Sequence, residues 1–335
     1  MSHGPEPTLM SENPEAELST PAPPADRATL TPSKRSVLVA VVLFVLTFLS
    51  TTYVGASSGA DLATSFISGL AYSVPLMSIL LCHELGHYIA ARIHRVPASP
   101  PFFVPMPIPP LGTMGAVIVM RGRITRRNAL LDIGAAGPLA GMAVALPVLI
   151  YGIATSPVQP IPPHTGLLVE GHSLLYIALL YWLKGPIPSG SDIMLTPTAF
   201  AGWAGLLVTM INLIPAVQLD GGHVAYALFG ERQQVYSRRV RAALLPIAAA
   251  VSLAYGLPAL AAGARGDALM LGFAPGFNWL LWWILLGWMK RREPREHPQT
   301  DDDVLSPRRR AIAWFTLLLF VVLFMPAWLR QVPPS

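Results

Sequence analysis

Seven long runs of uncharged, mostly apolar residues decide what this chain can become. They cover 36–54, 62–82, 133–155, 195–219, 242–262, 268–289 and 311–329. A helix rising 1.5 Å per residue needs roughly 20 residues to cross about 30 Å of hydrocarbon, so each run is long enough to span a bilayer. Charged residues are only 12% of the 335 and apolar ones 53%, which leaves too little charge to clothe a water-soluble core. A single cysteine, Cys82, excludes a disulfide scaffold. The sequence predicts an all-α polytopic membrane protein of about seven transmembrane helices.

The net charge of +5 suggests nucleic acid until it is placed along the chain. With the N-terminus in the cytosol, 20 of the 23 Lys and Arg fall on cytosolic segments, leaving Lys184, Arg265 and Arg330 for the other side. That is the positive-inside pattern of a membrane protein. It argues against a nucleic-acid partner and for a cell membrane, plasma or inner. An odd number of spans then puts the C-terminus outside.

Three regions follow. Residues 1–35 hold seven prolines and mixed charge without apolar periodicity, and read as a disordered cytosolic tail. Residues 36–230 form a membrane core of four spans with an outer loop at 156–194, and 240–335 carry C-terminal transmembrane helices. Inside the core, 97–121 is not a span. Seven prolines in 97–110 precede a β-prone stretch beside Gly115, which predicts a re-entrant loop or β segment near the polar site described next. An edge there, at Gly115, Ala116, Val117 and Ile118, could take an unwound substrate as an added strand. The apolar stretch 174–183 is too short to span and is expected at the interface.

The second run does not stop at Cys82. It continues through His83-Glu84-Leu85-Gly86-His87, an H-E-x-x-H motif inside a span. Residues i and i+4 share a helical face about 6 Å apart, so both imidazoles can reach one ion. Glu84 lies about 100° round the helix, free to act on water rather than to ligate. Chance predicts about 0.005 such motifs in a chain of this composition. A carboxylate inside a span is costly and by default functional.

Zinc with two histidines needs one more protein ligand and an open position. On the cytosolic side, outside the tail and the last loop, the acidic candidates are Asp132, Asp220 and Glu231. His83 lies nine residues before Arg92, about 13 Å deep on a straight helix. Asp220 lies at a comparable depth, twelve residues before Arg232. Asp132 is nearer the interface, where pairing with the arginines before it would explain it. Asp220 is the best candidate.

These residues carry a resemblance. The motif at 83–87, the glycine-rich stretch 134–141 and Asn212-Leu-Ile-Pro215-Ala-Val-Gln-Leu219-Asp220-Gly221-Gly222 resemble, in that order, the site-2 protease family of intramembrane zinc metalloproteases. Residues 101–105 and 112–119 resemble its re-entrant segment. The outer segment is too short for the PDZ domain many relatives carry, so the expected form lacks one. The resemblance implies one zinc per chain on His83, His87 and Asp220, with Glu84 as catalytic acid/base and Asn212 holding the substrate backbone. It also implies regulated cleavage of a membrane-anchored, single-span protein; the basic clusters nine to twelve residues after His83 and Asp220 place the site in the cytosolic half of the bilayer.

Neighbouring residues have readings of their own. Pro215 lacks an N–H and should break the helix before Asp220. His223 is expected to orient Asp220 rather than replace it. Gly137 and Gly141 are spaced for close helix packing. Two other functions compete: a prenyl-protein-type zinc protease, whose third ligand would be a downstream Glu such as Glu231, and a non-catalytic zinc-binding chaperone or transporter. A transporter would need polar groups lining a route across the bilayer, and the other spans nearly lack them.

Overall fold

The computed structural model describes residues 32–332 except 57–58, 60, 121–123, 162–166, 293–296, 298–299 and 302. Most of the expected tail, with Arg121, Arg123 and Arg295, lies outside the described residues.

Two helices open the fold, each started by a polar cap. Ser33 caps α1 (Lys34–Gly55) by accepting from the Ser36 amide, and Asp61 caps α2 (Leu62–Ile93) by accepting from Ala63 and Thr64. A short connection leaves them neighbours, joined by a Thr52 Oγ1 to Ser73 Oγ hydrogen bond of 2.8 Å. As the sequence required, α2 runs on past Cys82, so the H-E-x-x-H residues stand within one continuous helix.

A hairpin follows, β1 (Phe102–Pro105) antiparallel to β2 (Thr113–Val117). It packs on α1 through Phe103, whose ring meets Phe44 edge-on at 5.2 Å. Its turn is held from both helices: Ser50 Oγ donates to the Gly112 carbonyl at 2.7 Å and the Tyr72 hydroxyl to Leu111 at 2.9 Å. The chain then enters α3 (Arg127–Thr155).

Short strands pair across the segment that follows α3. β3 (Val158–Pro160) pairs with β5 (Ser191–Ile193), enclosing β4 (Leu167–Glu170) and α4 (Leu174–Lys184). α4 buries Tyr176 and Leu179 on one face and exposes Leu174, Ile177, Tyr181 and Trp182 on the other. Beyond it, α5 (Pro197–Asn212) threads the centre of the bundle with Trp203, Leu206 and Met210 fully buried.

The second half begins with α6 (Asp220–Phe229), which passes through a 3₁₀ turn into α7 (Gln233–Ala261). Next come α8 (Asp267–Phe273), another 3₁₀ turn and α9 (Phe277–Arg292), then α10 (Pro307–Leu323) and β6 (Leu329–Val332). β6 pairs with β4, so the C-terminal strand and the 156–194 segment share one end of the bundle.

Among the described residues, five stretches are long and apolar enough to cross a membrane: α1, α2, α3, Asp220–Ala261 and Asp267–Arg292. The sequence predicted seven spans. The run 195–219 is shortened because its helix ends at Asn212, three residues before Pro215, leaving 16 helical residues. The run 311–329 is shortened because α10 stops at Leu323 and the chain goes on into β6. Exposed apolar side chains crowd α1, α9 and α10, among them Leu38, Leu49, Leu281, Ile284, Phe315 and Leu318, as lipid-facing helices require.

Candidate metal centre

α2 sets His83 and His87 one turn apart, with their Nε2 atoms 3.1 Å from each other. The third group comes from a different part of the chain. After α5 ends at Asn212, residues 213–219 make a turn in which Val217 has φ 45°, a left-handed backbone that a β-branched residue adopts only under constraint. The Val217 amide is held by Ser237 Oγ at 3.2 Å. α6 then starts at Asp220, whose Oδ2 lies 3.3 Å from His83 Nε2 and 3.2 Å from His87 Nε2. His83 and His87 are 4% and 8% exposed.

The spacing fits a zinc ion. A tetrahedron with arms of about 2.0–2.1 Å has edges of about 3.3–3.4 Å, and the three donor atoms make a triangle of nearly that size. Among the described residues, these three are the cluster of His, Cys, Asp or Glu able to hold a metal. The donor set, two imidazoles and a carboxylate, is also the kind zinc takes in catalytic sites.

Orientation is built in as well. His87 Nδ1 lies 2.8 Å from the Ile133 carbonyl of α3. A carbonyl only accepts, so Nδ1 carries the proton and Nε2 keeps its lone pair for a ligand. Glu84 is buried, 7% exposed, one residue from His83. Asn212 Nδ2 lies 3.3 Å from His83 Nε2.

The other expected residues are placed as follows. Gly115, Ala116 and Val117 lie in β2, whose second edge pairs with no strand among the described residues, and Ile118 follows directly. Asp132 does not join the triad; among the described residues it is engaged by Arg309 of α10 and by His94. Glu231 sits on the exposed 3₁₀ turn after α6. His223 lies three residues after Asp220 on α6; its buried Nδ1 has no hydrogen-bond partner among the described residues. Its ring faces His297, at 4.9 Å between centroids.

His297 escaped the sequence reading because no motif marks it. It is 4% exposed and also packs on Tyr226, with centroids 4.7 Å apart. Burial, reinforced by nearby His223, pushes its pKa down to about 3, so it stays neutral at physiological pH.

Gly137 does more than pack helices. A Cβ there would stand 2.0 Å from His87 Nε2, and one at Gly141 would stand 3.1 Å from the His83 Cβ. Gly137→Ala is therefore expected to push the His87 ring out of line and weaken zinc binding by at least about tenfold. Gly141→Ala should cost less. Competition with a chromogenic chelator measures both; an unchanged affinity in Gly137→Ala would show that the ring has room to move.

Residues 71–255, 55% of the chain, match the family described as "Peptidase family M50". The chain belongs to peptidase family M50. This bears out the resemblance to site-2 proteases. Curated relatives of this M50 chain include "Probable zinc metalloprotease EGY2, chloroplastic" of Arabidopsis thaliana, 33% identical over 185 residues, 55% of this chain and 33% of the relative. "Probable zinc metalloprotease EGY1, chloroplastic" of the same plant is 28% identical over 263 residues, 77% of this chain and 43% of the relative. An EGY2 protein of Oryza sativa subsp. indica is 31% identical over 255 residues, 73% of this chain and 40% of the relative. The M50 chain thus spans less than half the length of these relatives. No solved structure matches it.

Proposed function

We propose that this M50 chain is a zinc metalloendopeptidase that cuts membrane-anchored proteins within or near their transmembrane segments. The observation that carries this reading is the buried triangle of His83 Nε2, His87 Nε2 and Asp220 Oδ2, with Glu84 beside it on the same helix. The names of the relatives, probable zinc metalloproteases, support it.

One zinc per chain would be held by those three atoms. When bound, zinc supplies Lewis acidity towards the scissile carbonyl and makes water nucleophilic near neutral pH. Glu84 takes the proton of the attacking water and delivers it to the leaving amine. The Asn212 amide donates to the carbonyl oxygen as negative charge develops on it. His223, three residues after Asp220 on α6, orients that carboxylate.

A substrate helix hides its peptide bonds, so it must unwind before attack. The free edge of β2 at Gly115, Ala116 and Val117, with Ile118 beyond, offers main-chain groups to such an extended segment. The substrate is accordingly a single-span protein, such as a membrane-tethered regulator released by regulated intramembrane proteolysis. Residues 36–230 form the catalytic unit and 240–335 the C-terminal helices. Counting α5 and α10 gives seven spans in a cell membrane, with 97–121 re-entrant, the N-terminus cytosolic, the C-terminus outside and the zinc in the cytosolic half. The positive-inside distribution supports that orientation.

Mass spectrometry of fragments from a reconstituted single-span substrate tests the reading. Cuts should fall inside the substrate's span, nearer the cytosolic leaflet. A Gly near the cut should speed it, since Gly loosens a helix by about 1 kcal/mol relative to Ala. Cuts confined to the substrate's outer soluble segment would overturn the intramembrane assignment.

A further inference from the structure

The first turns of α3, residues 126–133, touch every element that bears a candidate ligand. Arg127 donates from Nε to the Ala227 carbonyl at 2.6 Å and from Nη2 to the Leu228 carbonyl at 3.2 Å, binding the end of the helix that Asp220 begins. The Ile133 carbonyl accepts from His87 at 2.8 Å. Asp132, one residue before it, is held from two directions. Arg309 of α10 donates to it from Nε at 3.0 and 3.2 Å and from Nη2 at 2.7 Å. His94, the C-cap of α2, meets the same carboxylate at 2.8 Å, and its own carbonyl accepts from Arg126 at 2.5 Å. α10 lies beyond the segment that matches the family, residues 71–255.

We propose that Asp132 and Arg309 are positioning residues for the metal centre, so that the C-terminal helix α10 holds the His87 ligand through the start of α3. The inference rests on the zinc reading of His83, His87 and Asp220. The chain of causes is short. A forked guanidinium–carboxylate pair fixes orientation as well as distance, because two parallel bonds resist rotation. Here it locks the turn containing Asp132 against α10, while His94 locks it against α2. The next residue along that turn supplies the carbonyl that sets the proton and the ring angle of His87. A carbonyl bonded directly to a ligating imidazole, as Ile133 is to His87, is an outer partner of the kind worth 10- to 100-fold in metal affinity. The pair is 35% and 26% exposed, open enough to tolerate substitution without burying an orphan charge.

The test uses the full chain, purified in detergent, with zinc affinity from chelator competition and the visible spectrum of the cobalt-substituted protein. Arg309→Ala and Asp132→Asn should each weaken zinc about 10- to 100-fold and alter the cobalt bands, with one ion still bound at saturation. Arg309→Lys, which keeps the charge but loses the fork, should recover part of the affinity. Tyr176→Phe removes a 2.7 Å hydrogen bond to Glu170 at the other end of the bundle and should leave zinc unchanged. If Arg309→Ala and Asp132→Asn bind zinc within twofold of the unaltered protein while His87→Ala has lost it, the positioning role is wrong and the zinc site stands. An equal loss in Tyr176→Phe also overturns it, since the effect would then be general loosening. His87→Ala that keeps full zinc would instead overturn the zinc reading itself. Should an alanine or asparagine variant not fold, Arg309→Lys decides alone: weaker zinc supports the proposal, unchanged zinc ends it.

Discussion

Glu84→Gln is expected to slow peptide-bond hydrolysis by about 10²–10⁴-fold while leaving bound zinc at the level of the unaltered protein. Glutamine keeps the shape of the side chain but cannot take a proton from water. The Glu84 carboxylate is not one of the three atoms that converge on the proposed ion, so its loss leaves them in place. Elemental analysis and cleavage of a single-span reporter, on the same preparation, separate the two effects. A zinc-binding chaperone or transporter would be nearly indifferent to the change. Activity within tenfold of the unaltered protein would remove Glu84 from the chemistry.

Loss of a ligand should be more severe. His83→Ala, His87→Ala and Asp220→Ala each take away one of three protein donors, and zinc should fall from near one to below about 0.1 per chain, with activity lost. At saturating zinc, Asp132→Ala and Glu231→Ala should stay near one ion per chain, because neither side chain belongs to the triad. Full zinc in Asp220→Ala together with loss in Asp132→Ala would reverse the ligand assignment.

The sequence exposes the part of this centre that rests on local rules. His83 and His87 are legible because i and i+4 face one way on any helix, and because the charge of Glu84 interrupts an apolar run. Asp220 is legible by elimination, since so few acids lie at that depth. Long-range pairing is what local rules miss. Nothing local says that the Ile133 carbonyl will meet His87, that His297 will lie over His223, or that Arg309 will reach Asp132 across 177 positions. Two of the seven expected spans are shorter as helices than as apolar runs for a related reason. Hydropathy registers apolar residues but not their hydrogen bonding, so the turn before Asp220 and the residues leading to β6 look the same as helix until the chain is folded. Gly137 and Gly141 are a case between the two: close helix packing was expected at them, but which side chains would use the space depends on the partner helix.

That packing has a mechanical consequence. At Gly86 a Cβ would stand 2.4 Å from the Ala136 carbonyl oxygen, so the backbones of α2 and α3 are nearly in van der Waals contact at the level of the histidines. No lipid tail fits between them there. A bilayer that thickens or thins is accommodated by tilting, or by deforming the lipid, at fractions of a kcal/mol per Å of mismatch. Sliding α2 along α3 would instead drive backbone into backbone. The two helices therefore tilt as one beam, and the distance from His87 to the Ile133 carbonyl is insulated from the composition of the surrounding membrane.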